Sequence, residues 1–347
     1  MRFGVMTGVK QAEVHERDLS EILPHQILIN NKYCCICTTD YQQWMGLRPH
    51  QPFPTAFGHE NSGIAVKVGS DVRHISEGDH VVSIVYRPCL VCPNCKQGRS
   101  STFCMNPPNY RAKPDDYGYF GPTGCSEYLI VDAKHVYRIN PKAPLEEAAL
   151  CEPLSTVVHG IGRLRIRTGE KCLVIGAGIM GMLNAIVARY YGADVIISDI
   201  SGKKLEMAAT MGFEKLINAA QTEDIKARCI ELTGGKPVDA ISICVGADAA
   251  NRQALDVAPM GCRLLLFAGG YPPPKLDVDH NYIHYQLLEI IGTFGCSASD
   301  FQTAADLIGE RRIDLSRLIE ARYPLDDIQA AFTRASLAEG YRIAISL

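Results

Sequence analysis

Residues 172–183 read CLVIGAGIMGML, and they indicate the fold of the second half of the chain. Cys172–Ile175 has the length and apolar composition of a buried strand, and Gly176, Gly178 and Gly181 follow it in the spacing GxGxxG. Apolar residues then recur at helical spacing. A glycine loop between a strand and a helix predicts a dinucleotide-binding turn, in which the backbone and the helix N-terminus bind a pyrophosphate. Ile179 and Met180 belong to the same predicted turn.

Strands and helices alternate on both sides of this loop. The apolar runs predict strands and the patterned segments between them predict helices; the strand candidates are 172–175, 195–198, 240–244, 263–267 and 289–291, and the helix candidates are near 203–211 and 249–258. Such alternation predicts an α/β fold with a doubly wound parallel sheet of the Rossmann type. Beyond it, we expect helices near 299–310 and 326–337 and a closing strand at 343–345.

The residue that ends the second of these strands indicates the cofactor. Asp199 lies where a carboxylate accepts hydrogen bonds from both ribose hydroxyls and repels a 2′-phosphate, which favours NAD over NADP. Lys203 and Lys204 follow, and two interpretations stay open for them: a solvated helix face, or a wall beside the adenosine.

Length and composition exclude several classes of protein. The 347 residues suffice for two domains, and a formal net charge of -3 gives no basic footprint for nucleic acid. The N-terminus lacks a secretory signal pattern, and no stretch approaches the roughly 18 apolar residues of a membrane span. Fourteen cysteines in 347 residues are about 4%, well below the roughly 8–10% of a disulfide scaffold. We therefore expect the protein to work in a reducing cytoplasm.

The first half of the chain is turn-rich, with short β-like runs, and carries a candidate metal site. Cys37, His59 and Glu60 offer sulfur, nitrogen and oxygen, a donor set that suits a catalytic Zn²⁺ site with one open position. The alternative is a buried cysteine and a histidine satisfied within a turn. Two features favour the metal site. Gly58 marks an unusual backbone path directly before His59 and Glu60, and Glu152 supplies a further carboxylate later in the chain.

A second metal signal lies in a segment rich in proline and cysteine. Cys89, Cys92, Cys95 and Cys104 supply four thiolates, which close a tetrahedral site and make it structural rather than catalytic. An ion there would stabilise a lobe that has too few apolar residues to form a hydrophobic core of its own. A redox CxxC pair and an iron–sulfur cluster are alternatives, although the spacing does not match the bacterial cluster motif.

The sequence resembles the zinc-dependent medium-chain dehydrogenase/reductase family along nearly its whole length. The resemblance is carried by Gly58-His59-Glu60-x2-Gly63-x5-Gly69-x2-Val72, by Gly78-Asp79-His80-Val81, by the cysteine lobe and by the glycine loop. Glu152, in Glu152-Pro153-Leu154, stands where the ethanol-oxidising branch has a cysteine ligand. The chain is therefore most similar to the polyol, or sorbitol-dehydrogenase-like, branch.

The resemblance implies an arrangement of domains and a set of site residues. It implies a β-rich GroES-like catalytic domain at 1–153 with a structural zinc lobe at about 87–106, an NAD-binding Rossmann domain at 154–291, and a return to the catalytic domain at 292–347. It implies Cys37 and His59 as zinc ligands, Glu60 and Glu152 as ligands or holders of the metal's water, and Thr39 as the hydroxyl beside the substrate oxygen. It also implies that Val245, Phe267 and Ala268 lie near the nicotinamide.

Four positions depart from the family pattern or leave a choice open. Thr38 stands where the family usually has glycine. Gln42 stands where the family often has a histidine that relays protons to solvent, so the sequence does not assign the route by which a proton leaves the site. The lobe has one residue more than usual before Cys104. Cys151, next to Glu152, would be the ligand if the register shifted by one residue.

Three functions are consistent with these residues. The first is an NAD-dependent zinc dehydrogenase that interconverts a secondary alcohol of a polyol, cyclitol or sugar with its ketone. The second takes a sugar phosphate or an L-threonine-type 3-hydroxy amino acid, with Arg111 and Lys113 as candidate phosphate contacts in a loop that is otherwise solvated. The third, which is not an enzyme, is a zinc-stabilised nucleotide-binding protein. By analogy with the family, we expect a homodimer or homotetramer, a small-molecule substrate, and no nucleic-acid or membrane partner.

Overall fold

Two units make up the computed structural model, which describes residues 1–84, 87–107, 113–270 and 272–347. Unit one comprises Met1–Ser155 and Gly295–Leu347, and unit two comprises Thr156–Phe294. The boundaries expected from the sequence, after 153 and after 291, lie slightly before these.

Strands dominate the first stretch of unit one. They are β1 (Arg2–Gly8), β2 (Gln11–Glu16), β3 (Gln26–Ile36), β4 (Thr55–Ala56), β5 (Glu60–Val68), β6 (His80–Ser83), β7 (Tyr128–Asp132) and β8 (Val136–Ile139). The helices are α1 (Thr38–Trp44), α2 (Pro93–Lys96), α3 (Leu145–Ala148) and α4 (Cys151–Leu164), the last of which continues into unit two.

Unit two alternates strands with helices. Its elements are β9 (Lys171–Ile175), α5 (Ile179–Tyr190), β10 (Asp194–Asp199), α6 (Gly202–Thr210), β11 (Leu216–Asn218), α7 (Ile225–Leu232), β12 (Ala240–Ile243), α8 (Asp248–Val257), β13 (Arg263–Leu266), α9 (His280–Gln286) and β14 (Glu289–Gly292). The strands pair in parallel in the order β11-β10-β9-β12-β13-β14. The order reverses at β9, so the predicted doubly wound parallel sheet is confirmed.

The chain then returns to unit one and completes its main sheet. The returning elements are α10 (Ala298–Gly309), β15 (Ile319–Pro324), α11 (Ile328–Ser336) and β16 (Arg342–Ser346). The main sheet has the order β15-β16-β3-β5-β6-β8, with β7 also paired to β3, and β2-β1-β4 form a smaller sheet. The predicted β-rich domain, separate from the domain with the parallel sheet, is therefore confirmed as well.

The pairing around β3 positions the end of that strand. On one side β16 pairs Ile343 with Ile36, and on the other β5 pairs Glu60 with Cys35. Both neighbours run antiparallel to β3, so residues from three distant parts of the sequence meet where β3 ends and α1 begins. None of the helices in the described part of the chain has the length and apolar composition to cross a membrane.

Candidate functional site

Cys37 lies at the junction where β3 ends and α1 begins. It is the N-cap residue of α1, and its backbone N–H donates to Oδ2 of Asp40 at 2.9 Å. A carboxylate in the first turn of a helix accepts the N–H groups that have no intrahelical partner. The capping interaction thereby fixes the backbone from which the Cys37 thiol projects.

His59 is positioned by an unusual backbone path and by the same carboxylate. Gly58 has φ +104, and a Cβ there would collide with the backbone of Cys125, so only glycine fits before the histidine. The Nδ1 atom of His59 lies 3.5 Å from Oδ1 of Asp40. Burial lowers the pKa of His59, but the charges of Asp40 and Cys37 raise it more, and the net pKa is well above the ordinary value.

Glu60 is buried and held by an arginine from the other end of the chain. It has no exposed surface, and Arg342, at the start of β16, is 3% exposed. Arg342 donates from Nε to Oε2 of Glu60 at 2.8 Å and from Nη2 to Oε1 at 2.5 Å, and Nη2 also lies 3.6 Å from Sγ of Cys37. This two-point contact is the geometry that arginine and carboxylate favour.

Three of the four predicted metal ligands come together. One ligand atom each from Cys37, His59 and Glu60 lie within 4.8 Å of one another, in a search limited to the described residues. Sulfur, imidazole nitrogen and carboxylate oxygen at this spacing fit Zn²⁺.

Glu152 lies close to the group but outside it. It is buried in the first turn of α4, and burial raises its pKa to about 7, with His59 and Arg342 opposing the rise and Glu60 adding to it. The alternative ligand Cys151 is turned elsewhere, since its thiol donates to the carbonyl of Phe301 at 3.8 Å. The geometry therefore favours Glu152 over Cys151.

Thr39 and Gln42 follow Cys37 on α1. Thr39 is half-buried, and its hydroxyl has no hydrogen-bond partner in the part of the chain that the structure describes. Gln42 accepts a hydrogen bond from Nε of Arg48 at 3.0 Å. Of the loop candidates for phosphate contact, Arg111 lies outside the described residues and Lys113 is exposed.

The cysteine lobe brings its four thiols together. One sulfur atom each from Cys89, Cys92, Cys95 and Cys104 lie within 4.8 Å of one another. The backbone N–H of Cys92 donates to Sγ of Cys89 at 3.3 Å, and that of Cys89 donates to Sγ of Cys104 at 3.2 Å. Backbone N–H groups lower the pKa of Cys89 to about 6, whereas burial and the neighbouring thiols raise that of Cys95 to about 12. The four sulfurs thus fit a cation that compensates their charge.

The glycine loop of unit two has the close approaches that its spacing predicts. A Cβ at Gly181 would overlap the carbonyl oxygen of Gly176, and one at Gly176, which has φ +104, would lie 2.5 Å from Cγ2 of Val245. Gly178 is the N-cap residue of α5. The loop therefore leaves the backbone open to a phosphate group, as a dinucleotide-binding turn requires.

Asp199 closes the loop and borders a cavity. Its Oδ2 accepts the N–H of Ala177 at 2.6 Å, and its Oδ1 accepts the N–H of Ser201 at 2.7 Å. A cavity of about 750 Å³ is lined by Asp199, by Gly176 and Val245 of the predicted set, and by the cationic residues Lys226 and Arg252. This volume suits a nucleoside-sized ligand.

The other predicted nucleotide contacts lie nearby in the fold but not all face this cavity. Ile179 and Met180 form the first turn of α5, and Lys204 lies on α6. The backbone N–H groups of Phe267 and Ala268 both donate to the carbonyl of Ile243 at 3.1 Å. Their roles toward a cofactor stay predictions.

Sequence reasoning missed two residues of the site, Asp40 and Arg342. Asp40 follows Thr39 and gave one local signal, since an acidic residue three positions after an N-cap is a capping arrangement. Arg342 gave only the charge at the start of a predicted buried strand. Its partner Glu60 is 282 positions away, so only the sheet order reveals the pair.

Two family models match the chain. One is described as an alcohol dehydrogenase GroES-like domain and matches residues 23–141, and the other is described as a zinc-binding dehydrogenase and matches residues 180–310. The two models together span both units.

Two named proteins and one solved structure are similar to this chain over most of their length. A 2-dehydro-3-deoxy-L-galactonate 5-dehydrogenase from Pseudoalteromonas atlantica is 29% identical over 308 residues, which cover 88% of this chain and 87% of that protein. An L-threonine 3-dehydrogenase from Anaeromyxobacter dehalogenans is 28% identical over 324 residues, which cover 92% and 90%. The solved structure of a zinc-binding dehydrogenase from Sinorhizobium meliloti, bound to NADP, matches with a TM-score of 0.87 and 25% identity and covers 100% of this chain and 99% of its own.

Proposed function

The chain belongs to the zinc-dependent medium-chain dehydrogenases, and we propose that it interconverts a secondary alcohol of a polyol, cyclitol or sugar with its ketone, with NAD(H) as the hydride carrier. The observation that carries the proposal is the cluster of Cys37, His59 and Glu60, whose ligand atoms lie within 4.8 Å of one another. A hydride-transfer enzyme of this class needs such a site together with a nucleotide loop, and unit two supplies the loop.

We assign the metal to Cys37, His59 and the two glutamates. Arg342 holds both oxygens of Glu60, which favours Glu152 as the third protein ligand, direct or through a water, and Glu60 as an exchangeable one. A thiolate and two carboxylates exceed the charge of a divalent cation by one, and the guanidinium of Arg342 supplies the missing positive charge. What a bound zinc ion supplies is Lewis acidity, which lowers the pKa of a hydroxyl group and polarises a carbonyl.

Thr39 is the proposed proton acceptor in this site. It lies two residues after Cys37 in the capped first turn of α1, and its hydroxyl has no hydrogen-bond partner among the described residues. A threonine hydroxyl both accepts and donates, so it takes the substrate proton and passes its own onward. Gln42 does not titrate, so a proton that leaves by Gln42 would need a water or another group beyond it.

The choice of NAD over NADP rests on Asp199. Its carboxylate borders the cavity in unit two and would repel a 2′-phosphate. NADP stays the second candidate, because Lys226 and Arg252 line the same cavity and because the similar Sinorhizobium protein was solved with NADP.

The names of two relatives bear on the substrate class. The Pseudoalteromonas relative is named for a sugar-derived substrate, which supports a polyol, cyclitol or sugar. The Anaeromyxobacter relative is named for L-threonine, which makes a 3-hydroxy amino acid the alternative, and a sugar phosphate is a further one. We further propose a homodimer or homotetramer that works in the cytoplasm, where the fourteen thiols, all free in the structure, stay reduced.

A substrate panel tests the proposal. Polyols, cyclitols, sugar phosphates and L-threonine are each incubated with the zinc-loaded protein and NAD or NADP, and reduced nicotinamide is followed by its absorbance. We expect NAD reduction with a polyol, cyclitol or sugar. Reduction only with threonine or only with a phosphorylated sugar would select an alternative substrate. No reduction with any of them, with zinc bound, would favour the nucleotide-binding protein that is not an enzyme.

A further inference from the structure

A buried polar pair joins the helix after the glycine loop to the parallel sheet. Asn184 on α5 and Ser242 on β12 have no exposed surface, and the residues that flank Asn184, Leu183 and Ala185, are buried and apolar. The Nδ2 atom of Asn184 donates to the carbonyl of Met180 at 2.7 Å, and its Oδ1 accepts the hydroxyl of Ser242 at 2.9 Å. A buried amide is costly unless its atoms are paired, so the bond to Ser242 favours one position of α5 over others.

Strand β12 also holds the other side of the loop. Ser242 pairs in register with Val174 of β9, the strand that leads into the loop. Two residues further along β12, the backbone N–H of Cys244 donates at 2.9 Å to the carbonyl of Ile175, the last residue before Gly176. The end of β12 therefore holds the strand before the loop through backbone bonds and the helix after the loop through the side chain of Ser242.

The distance between α5 and the sheet is limited in both directions. The helix cannot come closer, because Gly181 already lies against the carbonyl oxygen of Gly176, where a Cβ would overlap it. Withdrawal of the helix would break the bond between Ser242 and Asn184. These contacts hold the end of α5 that begins at its N-cap Gly178. At that end, backbone N–H groups without an intrahelical partner and a partial positive charge are available to a phosphate.

We propose that the hydrogen bond between Ser242 and Asn184 positions the N-terminal turn of α5 for the pyrophosphate of the dinucleotide. Both residues are fully buried, so they act through the helix and not by contact with the ligand. The inference rests on the nucleotide-binding role that the proposed function gives to the loop. It applies to NAD and NADP alike, because both carry the pyrophosphate.

The strength of one hydrogen bond sets the size of the effect. Without the bond, α5 occupies other positions as well, and the apparent affinity falls with the fraction of molecules in the binding position. A neutral hydrogen bond contributes enough to shift such an equilibrium by about two- to tenfold. The affinity for a ligand that carries the pyrophosphate should fall by this factor.

Ser242→Ala is the central variant, because it removes only the oxygen atom that donates to Asn184. Asn251→Ala is the matched control: Asn251 is 5% exposed in the same unit and donates to the carbonyl of Lys275 at 2.8 Å. Its loss removes a buried amide hydrogen bond that does not involve the glycine loop. The double variant Asn184→Leu/Ser242→Ala replaces both partners by apolar side chains and leaves neither of them unpaired.

Two ligands separate the position of the helix from a general loss of structure. ADP-ribose carries the pyrophosphate and adenosine does not; calorimetric titration measures the first and ligand-observed NMR the second, both on the zinc-loaded protein. We expect Ser242→Ala to raise the dissociation constant of ADP-ribose by about two- to tenfold and to leave that of adenosine unchanged. Asn251→Ala should leave both dissociation constants unchanged.

Urea unfolding supplies a second readout. In Ser242→Ala, Oδ1 of Asn184 loses its donor, so we expect the midpoint of unfolding to fall. In the double variant the midpoint should recover, because the unpaired amide is gone. The affinity of the double variant for ADP-ribose should nevertheless stay low, since no hydrogen bond limits the withdrawal of α5. A purely structural role of the pair predicts that stability and affinity recover together.

Three results would overturn the positioning role: an unchanged affinity of Ser242→Ala for ADP-ribose, an equal loss of affinity for adenosine, or recovery of ADP-ribose binding in the double variant. If Ser242→Ala does not fold, the double variant decides, by its affinity for ADP-ribose relative to that for adenosine. A wild-type protein that binds none of ADP-ribose, NADH and NADPH would instead refute the proposed function.

Discussion

The Nδ1 atom of His59 lies 3.5 Å from the carboxylate of Asp40, which also accepts the backbone N–H of Cys37. One side chain thus orients two of the candidate metal ligands at once. With a carboxylate beside Nδ1, the other ring nitrogen, Nε2, would be the one to bind a metal, and the carboxylate raises the basicity of the imidazole.

Replacing Asp40 by asparagine tests this arrangement. Asp40→Asn keeps the shape and an oxygen for the N–H of Cys37 but removes the charge beside His59, so we expect zinc affinity at this site to fall by roughly 10–100-fold. Competition with a chelator of known affinity measures the change. Asp314→Asn is the control, since Asp314 likewise accepts a backbone N–H, that of Ser316 at 3.0 Å, on the surface. Equal affinities in the two variants would contradict the role of Asp40.

Removing Arg342 from its buried pair with Glu60 should strongly lower the free energy of unfolding. Arg342→Met leaves Glu60 charged and buried without a partner, and we expect the free energy of unfolding to fall by about 3–5 kcal/mol. Arg322→Met breaks a two-point pair with Glu146, at 2.6 and 2.8 Å, whose arginine is 48% exposed. Exposed pairs contribute about 0–1 kcal/mol. Urea unfolding of both metal-free variants measures the difference, and similar losses in both would show that burial of the pair does not matter.

The thiols of the lobe should bind one metal ion that is separate from the Cys37 site. Cys95→Ser removes one of four sulfurs, so we expect the zinc content to fall by one equivalent and the unfolding temperature to fall with it. Cys229→Ser changes a buried thiol outside both clusters and should lower stability without loss of zinc. Metal analysis and thermal unfolding of both variants decide the point. A Cys95→Ser protein with the full zinc content would refute the lobe site.

The carboxylate of Asp199 should set the cofactor preference. Asp199→Asn keeps an acceptor for the N–H of Ala177 but removes the charge that repels a 2′-phosphate. Hydrogen bonds to a charged group are worth about 1.5–3 kcal/mol, so we expect the ratio of kcat/KM for NAD to that for NADP to fall by at least about tenfold. Asp224→Asn alters a carboxylate that lines the same cavity and caps α7, and it should leave the ratio unchanged. An unchanged ratio in Asp199→Asn would remove the ribose assignment.

The parts of the fold that local patterns encode were predictable from the sequence. The strand before Gly176, the helix after it and the parallel sheet follow from apolar periodicity and glycine spacing, which depend only on neighbouring residues. β11 (Leu216–Asn218) and β15 (Ile319–Pro324) were not predicted, because one is too short to show a period and the other has an arginine and a proline within it.

The site itself depends on contacts between distant residues, so less of it could be predicted from local patterns. The cluster of Cys37 and His59 was expected from residue type and resemblance. The contact of Arg342 with Glu60 required the order β16-β3-β5, and the position of Glu152 outside the cluster depends on how the first turn of α4 packs. Neither follows from spacing along the chain.

Zinc content and NAD reduction, measured together in the wild-type protein and in Cys37→Ser, test the metal-dependent hydride transfer most directly. We expect two zinc ions per wild-type chain and one in the variant, with NAD reduced by a polyol, cyclitol or sugar only in the wild type and with the lobe site intact in both. A Cys37→Ser protein that keeps both ions and still reduces NAD would contradict it.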